Sequence, residues 1–388
     1  MTKPFAGLKV LDLTEILAGP MVGAYMGDMG ADVVKIERGG GDSIRVNKQT
    51  ELIYIQFNRS KRGITLDHKT PGGLQALLRM AAQADIFVEN SRPGVSDRRG
   101  YGYEAVRALN RRIIYCSISA FGTDGPYVKR AGQDWVMQGV SGLMSWTGTD
   151  QGDPIRLGPP IADYAGGSDA LLGILTALYV RSQTGEGQKV DVSLLDSSLY
   201  AIGQRLMHFP ASGQPLRPMG NRHPWAAPAE AYRTADGRIN VVVQDEWRWP
   251  KFCDAIGRPD LTDDGRFSDN RARIANVHAL NEILNPLFAS KSTQEWVSLL
   301  ADDADQMVGP QQTLEEVLAD PQVQHNKIVV NMPYPGYPEL PHIDTPVRLS
   351  VTPGGISRRA PLLGEHTAEV LAEYGFSPEE ISTLTAGH

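Results

Sequence analysis

Cysteine is almost missing from this chain: Cys116 and Cys253 are the only two in 388 residues, too few for a disulfide framework. Cys116 sits in an apolar run, Ile-Ile-Tyr-Cys-Ser-Ile-Ser, that reads as a buried strand, and both thiols read as inert packing residues. The eight histidines are scattered, with no His-x-x-x-His or Cys-x-x-Cys spacing, so no metal site is signalled. Long apolar runs are missing too. The longest, Ala170 to Val180, is about half of the ~20 residues a bilayer span requires. The opening Met-Thr-Lys-Pro-Phe-Ala-Gly has no signal-peptide core. These absences predict a soluble, cytoplasmic protein with no membrane partner. A chain of this length buries roughly three quarters of its unfolded surface, so two or so domains stand without a metal or disulfide staple, and disordered, fibrous and mini-protein readings are excluded.

The net charge of −7 argues against general nucleic-acid binding, but the charge is uneven. Residues 29–112 carry 15 Lys and Arg against 9 Asp and Glu, a +6 segment inside a −13 remainder.

Leu8 to Leu13 and Asp32 to Glu37 read as strands flanking a helix from Pro20 to Met29, a spacing that fits a right-handed βαβ unit. The pattern recurs: helix Pro71 to Ala84, strand Asp85 to Glu89, helix Tyr103 to Leu109, strand Arg112 to Ser119. Doubly wound α/β with a parallel, Rossmann-like sheet is the expected class. After a Gly-, Asp- and Pro-rich loop (Phe121 to Gly132), Trp135 to Trp146 reads as helix. Ser168 to Arg181 reads as a helix buried on several sides, Lys189 to Leu194 as a strand, and Asp196 to His208 as a helix. Pro and Gly punctuate Pro210 to Pro228. Beyond it, Ala231 to Thr234 and Arg238 to Val243 flank Ala-Asp-Gly, a hairpin signal. Helices follow at Trp249 to Ile256, Arg271 to Ala289, Thr293 to Ala301 and Thr313 to Leu318. The Pro-rich Met332 to Pro346 reads as a linker, and Thr367 to Tyr374 and Pro378 to Thr385 as closing helices. The expected domains are 1–209 (large), 210–228 (linker), 229–330 (small, α+β), and 331–388, a linker and C-terminal segment.

The first βα turn, Glu15-Ile-Leu-Ala-Gly-Pro20, stands where a dinucleotide enzyme would carry Gly-x-Gly-x-x-Gly. Only Gly19 and Gly23 are near the right places, and Pro20 removes an N–H that a pyrophosphate would want, which argues against a nicotinamide cofactor. Basic residues cluster at Arg38, at Asn58-Arg-Ser-Lys-Arg-Gly63, and at Arg92 with Arg98 and Arg99. All are expected at C-terminal strand ends, the ligand edge of an open α/β sheet, where guanidinium forks suit phosphate oxygens. Solvated surface charge is the plainer reading of any one of them. Asp163, just before the buried helix and followed by Tyr-Ala-Gly-Gly, reads from spacing alone first as a helix cap, and second as a carboxylate open to a ligand.

Several long motifs in one order carry a resemblance. Gly7-Leu-Lys-Val-Leu-Asp12 with Ala18-Gly-Pro20, Gly30-Ala-Asp-Val-Val-Lys-Ile-Glu-Arg38, Val88-Glu-Asn90 with Arg92-Pro-Gly94, Thr184-Gly-Glu-Gly-Gln188 and Pro361-Leu-Leu-Gly-Glu-His-Thr367 closely resemble the family III CoA-transferases, whose relatives include α-methylacyl-CoA racemases. The resemblance spans nearly the whole chain. It implies that Asp163, ten residues before Gly173, is the nucleophile: its carboxylate attacks an acyl-CoA thioester, and CoA passes through an aspartyl-CoA thioester to a free carboxylic acid. No metal and no tightly bound cofactor is implied; acyl-CoA is the substrate. Gly166 and Gly167 are expected to offer N–H groups to the oxyanions, and Gln133 to position substrate. CoA binding carries over to Ile16, Leu17 and Ala18, to Arg38, to Leu66, Asp67, His68 and Lys69, to Asn90, Ser91 and Arg92, and to Arg98 and Arg99. The family fold further implies an interlocked homodimer, with the site between the large domain of one chain and the small domain of the other.

Two departures bear on the activity. The racemases carry a proton-shuttling His in an Ala-Gly-His-Asp context; here it reads Ala131-Gly-Gln-Asp134, and an amide shuttles no proton, which favours transfer over racemisation. The glycine-rich loop of formyl-CoA transferases is replaced by Gly220-Asn-Arg-His-Pro-Trp225, which puts formyl and oxalate specificity in doubt. Arg222 or His223 either meets an acceptor carboxylate or is structural, and His366 reads as a cap or packing residue. A non-catalytic CoA-binding protein is the remaining alternative.

Overall fold

The computed structural model describes residues 2–150, 152–215 and 217–386. The chain divides into two compact units: Met1–Met144, Arg156–Gln214 and Gln324–His388 form the first, and Ser145–Ile155 with Pro215–Val323 the second.

The first unit is built on a six-stranded sheet of β1 (Lys9–Asp12), β2 (Asp32–Glu37), β3 (Arg62–Thr65), β4 (Ile86–Glu89), β5 (Ile114–Ser119) and β6 (Lys189–Ser193). The order is β3-β2-β1-β4-β5-β6 and every pairing is parallel. Strand order therefore reverses between β1 and β4, the place where doubly wound sheets open a crevice. Alternate side chains feed two cores, as the strand period of two requires. Leu11, Val34, Phe87 and Tyr115 face one core, and Val10, Val33, Ile86 and Ile114 the other. Helices α1 (Ala18–Asp28) and α2 (Lys48–Phe57) precede β3. Then come α3 (Pro71–Ala81), α4 (Val95–Arg98), α5 (Tyr103–Leu109), α6 (Asp134–Val140), α7 (Ile161–Thr184) and α8 (Leu194–Ile202). Among the described residues no helix is long and apolar enough to cross a membrane.

Several elements differ from the sequence reading. Strand β3 was hidden by the charge of Arg62, which is buried because Asp32, Glu369 and Glu373 pair with it at 2.7–2.9 Å. The same ion pairs correct the idea that 58–63 is a phosphate cluster. Arg59 pairs with Asp28 and Lys61 with Asp12, both at 2.7 Å, so the cationic groups are spent inside the fold. Helix α7 starts at Ile161, seven residues before the expected start, so Asp163 lies in its first turn. The Pro-rich stretch is a β-hairpin, Val329–Tyr334 with Tyr337–Ile343, whose prolines are tolerated because a two-stranded ribbon has only edges. The last segment then returns to the first unit: Thr367 Oγ1 accepts the Thr65 N–H at 3.0 Å, and Val370, Leu371, Tyr374 and Phe376 enter the core.

In the second unit Ala229–Arg233 and Arg238–Val242 form the expected hairpin, and Met307–Pro310 adds a third antiparallel strand. Its core gathers Tyr232, Trp249, Phe252, Phe288 and Trp296. Residues 145–155, assigned by sequence to the large domain, belong here. Gly220 N–H donates to Gly148 O at 2.9 Å and Arg222 pairs with Asp150 at 3.1 Å. Cys116 and Cys253 are both buried and unbonded.

Candidate active site

The C-terminal ends of β1, β4 and β5 open into a cleft of about 810 Å3. One wall is the turn after β1. Its backbone is clamped from below: Asp12 Oδ1 accepts the Thr14 N–H at 2.9 Å and its hydroxyl at 2.5 Å, and the buried Lys35 ammonium donates to the Thr14 carbonyl. Asp42 Oδ2 accepts the Ile16 N–H at 3.2 Å and receives Lys35 at 3.3 Å. Ile16 has φ +73°, a left-handed conformation that a β-branched residue rarely adopts. On the other side Asn90 makes a two-way bridge to Glu15, accepting its N–H at 2.9 Å and donating to its carbonyl at 2.8 Å.

The floor holds Asp163. Pro160 precedes the helix and gives no side-chain cap, and the Ala162 N–H donates to Asp134 Oδ1 at 2.7 Å, so the capping carboxylate is Asp134 and not Asp163. The other Asp134 oxygen accepts from Gln138 at 2.7 Å, and Gln138 Oε1 accepts the Leu157 N–H at 2.9 Å, which fixes the approach to the helix. Asp163 itself is half-buried and, among the described residues, its carboxylate makes no hydrogen bond. Burial first, and the like charge of Asp134 second, push its pKa up to about 7. A desolvated, unengaged carboxylate in a cleft is what a nucleophile requires.

Of the positions expected to meet substrate, Ile16, Leu17, Ala18, Asn90, Ser91, Arg92 and Gln133 line the cleft together with Asp163. The others do not. Arg38 follows β2, and Leu66, Asp67, His68 and Lys69 follow β3, at the same sheet edge but outside the cleft lining. Leu66 is fully buried, backbone included: its N–H donates to the Glu37 carbonyl at 2.7 Å and its carbonyl accepts the His68 N–H at 3.1 Å, which corrects the expectation that it meets a ligand. Asp67 Oδ1 accepts the Lys69 N–H at 3.0 Å. His68 lies 3.4 Å from Arg99; burial first, then the charges of Arg99 and Arg38, push its pKa down to about 4. Arg98 is exposed on α4.

The expectation for Gly166 and Gly167 is corrected. Both sit in the second turn of α7, where N–H groups belong to the helix ladder. A Cβ on Gly166 would come within 2.3 Å of Leu194 Cδ2, and one on Gly167 within 2.8 Å of the Ala18 carbonyl; they are close-packing positions rather than oxyanion donors. His366 accepts the Gly63 N–H on Nδ1 at 3.2 Å and so fastens the C-terminal segment to β3. Arg222 is engaged with Asp150.

The sequence reading missed Asp134, Trp135, Arg130 and Arg156, all in the lining. Arg130 stacks on Tyr127 at 3.6 Å and Arg156 lies over Trp135 at 4.8 Å; neither pairs with an acidic side chain among the described residues. Only the position of the Phe121–Gly132 loop after a parallel strand pointed toward them. Among the described residues no cluster of three or more His, Cys, Asp or Glu side chains is arranged to hold a metal ion.

The doubly wound sheet thus presents at its crevice a carboxylate with no hydrogen bond among the described residues, and its first βα turn lacks the Gly-x-Gly-x-x-Gly that would seat a dinucleotide, a site suited to carboxylate chemistry. The model of CoA-transferase family III matches residues 5–367, and the chain belongs to that family. It is 36% identical over 386 residues to succinate–glutarate CoA-transferase of Agrobacterium fabrum, covering 95% of each chain. It is 34% identical to formyl-CoA:oxalate CoA-transferase of Streptomyces avermitilis, covering 99% and 98%. The crystal structure of a CAIB/BAIF family protein from Brucella suis is similar at TM-score 0.87 and 34% identity, over 96% of this chain and all of that one.

Proposed function

We propose that this CoA-transferase moves CoA from an acyl-CoA donor to a free carboxylic acid through Asp163. The observation that carries the reading is the placement of that carboxylate: half-buried, free of hydrogen bonds among the described residues, at the floor of the cleft at the C-terminal sheet edge. An Asp163 oxygen attacks the thioester carbonyl, the C–S bond breaks, and CoA leaves as thiolate from a mixed anhydride. The thiolate attacks the Asp163 carbonyl, the anhydride C–O bond breaks, and the donor acid leaves as carboxylate. The acceptor carboxylate then attacks the aspartyl-CoA thioester and the steps run in reverse, regenerating Asp163 with no net proton or electron exchanged. Gln133, Asn90 and the 16–18 turn line the path and position the thioester. Arg38, Asp67 to Lys69, Arg98 and Arg99 supply a basic outer edge suited to the CoA phosphates.

The acceptor class we infer is a short dicarboxylic acid. Relatives are named for succinate, glutarate and oxalate, and two guanidiniums without acidic partners among the described residues, Arg130 and Arg156, the latter held by the Leu157 and Gly158 carbonyls, line the cleft that holds Asp163. A homodimer belongs to this reading. It is supported by apolar side chains left exposed on and after α7, among them Leu172, Tyr179, Tyr200 and Phe209. So does a cytoplasmic setting, supported by two thiols that form no disulfide.

The test incubates the protein with succinyl-CoA and a panel of mono- and dicarboxylic acids in deuterated water. CoA exchange without α-deuteration is expected, strongest for dicarboxylates; α-deuteration without exchange would replace transfer by racemisation. Asp163→Ala should fold, bind CoA and lose exchange by at least 10³-fold. Retained exchange would move the nucleophile elsewhere.

A further inference from the structure

Beneath the cleft lies a set of buried charges that the transfer chemistry does not use. Asp12, Lys35, Asp42 and Lys61 are all essentially inaccessible to solvent. Burying ions is costly unless each finds a partner, so the set needs a reason beyond stability. Lys61 closes one half of it, donating to Asp12 Oδ2 at 2.7 Å, to the Pro20 carbonyl at 2.9 Å and to Asn58 Oδ1 at 2.8 Å. The other half, Lys35 and Asp42, reaches up into the turn after β1: Lys35 to the Thr14 carbonyl, Asp42 to the Ile16 N–H at 3.2 Å. Asp42 in turn has its second oxygen on the Ile44 N–H at 3.2 Å, and its own N–H on Glu37 Oε1 at 2.8 Å. Glu37 is locked by Arg45 at 2.8 Å, so the Asp42 carboxylate is fixed in place.

What these two residues hold is strained. Ile16 at φ +73° is a left-handed β-branched residue, a conformation that persists only where its surroundings over-determine it. Ile16, Leu17 and Ala18 line the cleft that holds Asp163. Resting on the CoA-transfer reading, we propose that Lys35 and Asp42 are positioning residues: the buried pair holds the Thr14–Ile16 backbone in its left-handed turn so that residues 16–18 present a preformed wall to the acyl-CoA thioester. Neither touches substrate, and both act through the backbone above them.

Their loss therefore weakens acyl-CoA binding before it touches chemistry. Single removal of one charge leaves the other buried and unpaired, so the main test replaces both, Lys35→Met with Asp42→Leu, an exchange of a buried pair for apolar side chains that folds tend to accept. CoA titration by calorimetry and steady-state exchange are read on wild type and variant. The expected result is a folded variant whose CoA affinity falls about tenfold or more. Its KM for acyl-CoA should rise in step, and kcat at saturation should stay within about threefold. A drop in kcat at unchanged KM and CoA affinity, or affinity within twofold of wild type in the folded variant, overturns the proposal. If the double variant does not fold, Lys35→Met with Asp42→Asn carries the same comparison: both charges go together, the shape at 42 is kept, and the donor to the Thr14 carbonyl is lost. A wild type that fails to bind CoA overturns the functional reading itself. Normal wild-type binding with an equally tight variant overturns only the positioning role.

Discussion

Asp163 and Asp134 divide one job between two carboxylates. Asp134 is pinned by the Ala162 N–H and the Gln138 amide; Asp163, with no hydrogen bond among the described residues, is pushed up first by burial and second by the like charge of its neighbour. With its pKa raised to about 7, Asp163 is protonated below that pH, so on the proposed nucleophilic role kcat/KM should fall tenfold per unit as the pH drops below 7 and level off above it. Asp134→Asn keeps an oxygen for the Ala162 N–H but removes the like charge. The Asp163 pKa then drops, and the acid limb should move to lower pH. A pH–rate profile on both proteins checks it; an unmoved limb would assign the titration to another group. Asp163 was legible as a residue because its neighbours matched a known motif. Asp134 was not legible as its partner, because the contact joins residues 28 apart and no local pattern announces it.

At the scale of elements, the packing of α1 on α7 sets the width of the cleft. Gly167 lets the helices approach until the Ala18 carbonyl would stand 2.8 Å from a Cβ, a backbone atom that cannot turn aside. Gly167→Ala gains helix propensity of about 1 kcal/mol, but the forced separation costs about 1–3 kcal/mol. The expectation is a lower Tm together with a raised KM for acyl-CoA, since Ala18 lines the cleft; a thermal melt and steady-state kinetics decide it. Strands β1, β2, β4 and β5 could be read directly because they are nearly continuous apolar runs, as strands buried on both faces must be. Strand β3 and the early start of α7 could not. Arg62 looks like surface until Asp32, Glu369 and Glu373 surround it, and Pro159-Pro160 with Gly166-Gly167 imitate a loop although the prolines precede the helix and the glycines serve packing. The hairpin at 329–343 was masked in the same way by prolines that a ribbon's free edges admit.

For the molecule as a whole, the first unit's core is completed by residues far along the chain. Val370, Leu371, Tyr374 and Phe376 are each at most 8% exposed in that core, and fully burying such side chains contributes about 1.5–3 kcal/mol apiece. Their sum is comparable with the ~5–15 kcal/mol that holds a typical domain together. Deleting residues 367–388 should therefore abolish the cooperative unfolding of the first unit, read by circular dichroism and calorimetry, while a melt from the second unit persists. A truncated chain that keeps both transitions would show the C-terminal helices to be dispensable. This return also carries a kinetic meaning. Arg62 meets Glu369 across 307 residues of sequence, and at a synthesis rate of ~5–20 residues per second the strand waits on the order of 15–60 seconds for its cover. The whole of the second unit is made in that interval, all but the short piece 145–155 in one continuous stretch. The nascent protein is thus expected to finish its later-encoded unit first, while the parallel sheet stays open at β3 until almost the whole chain has left the ribosome.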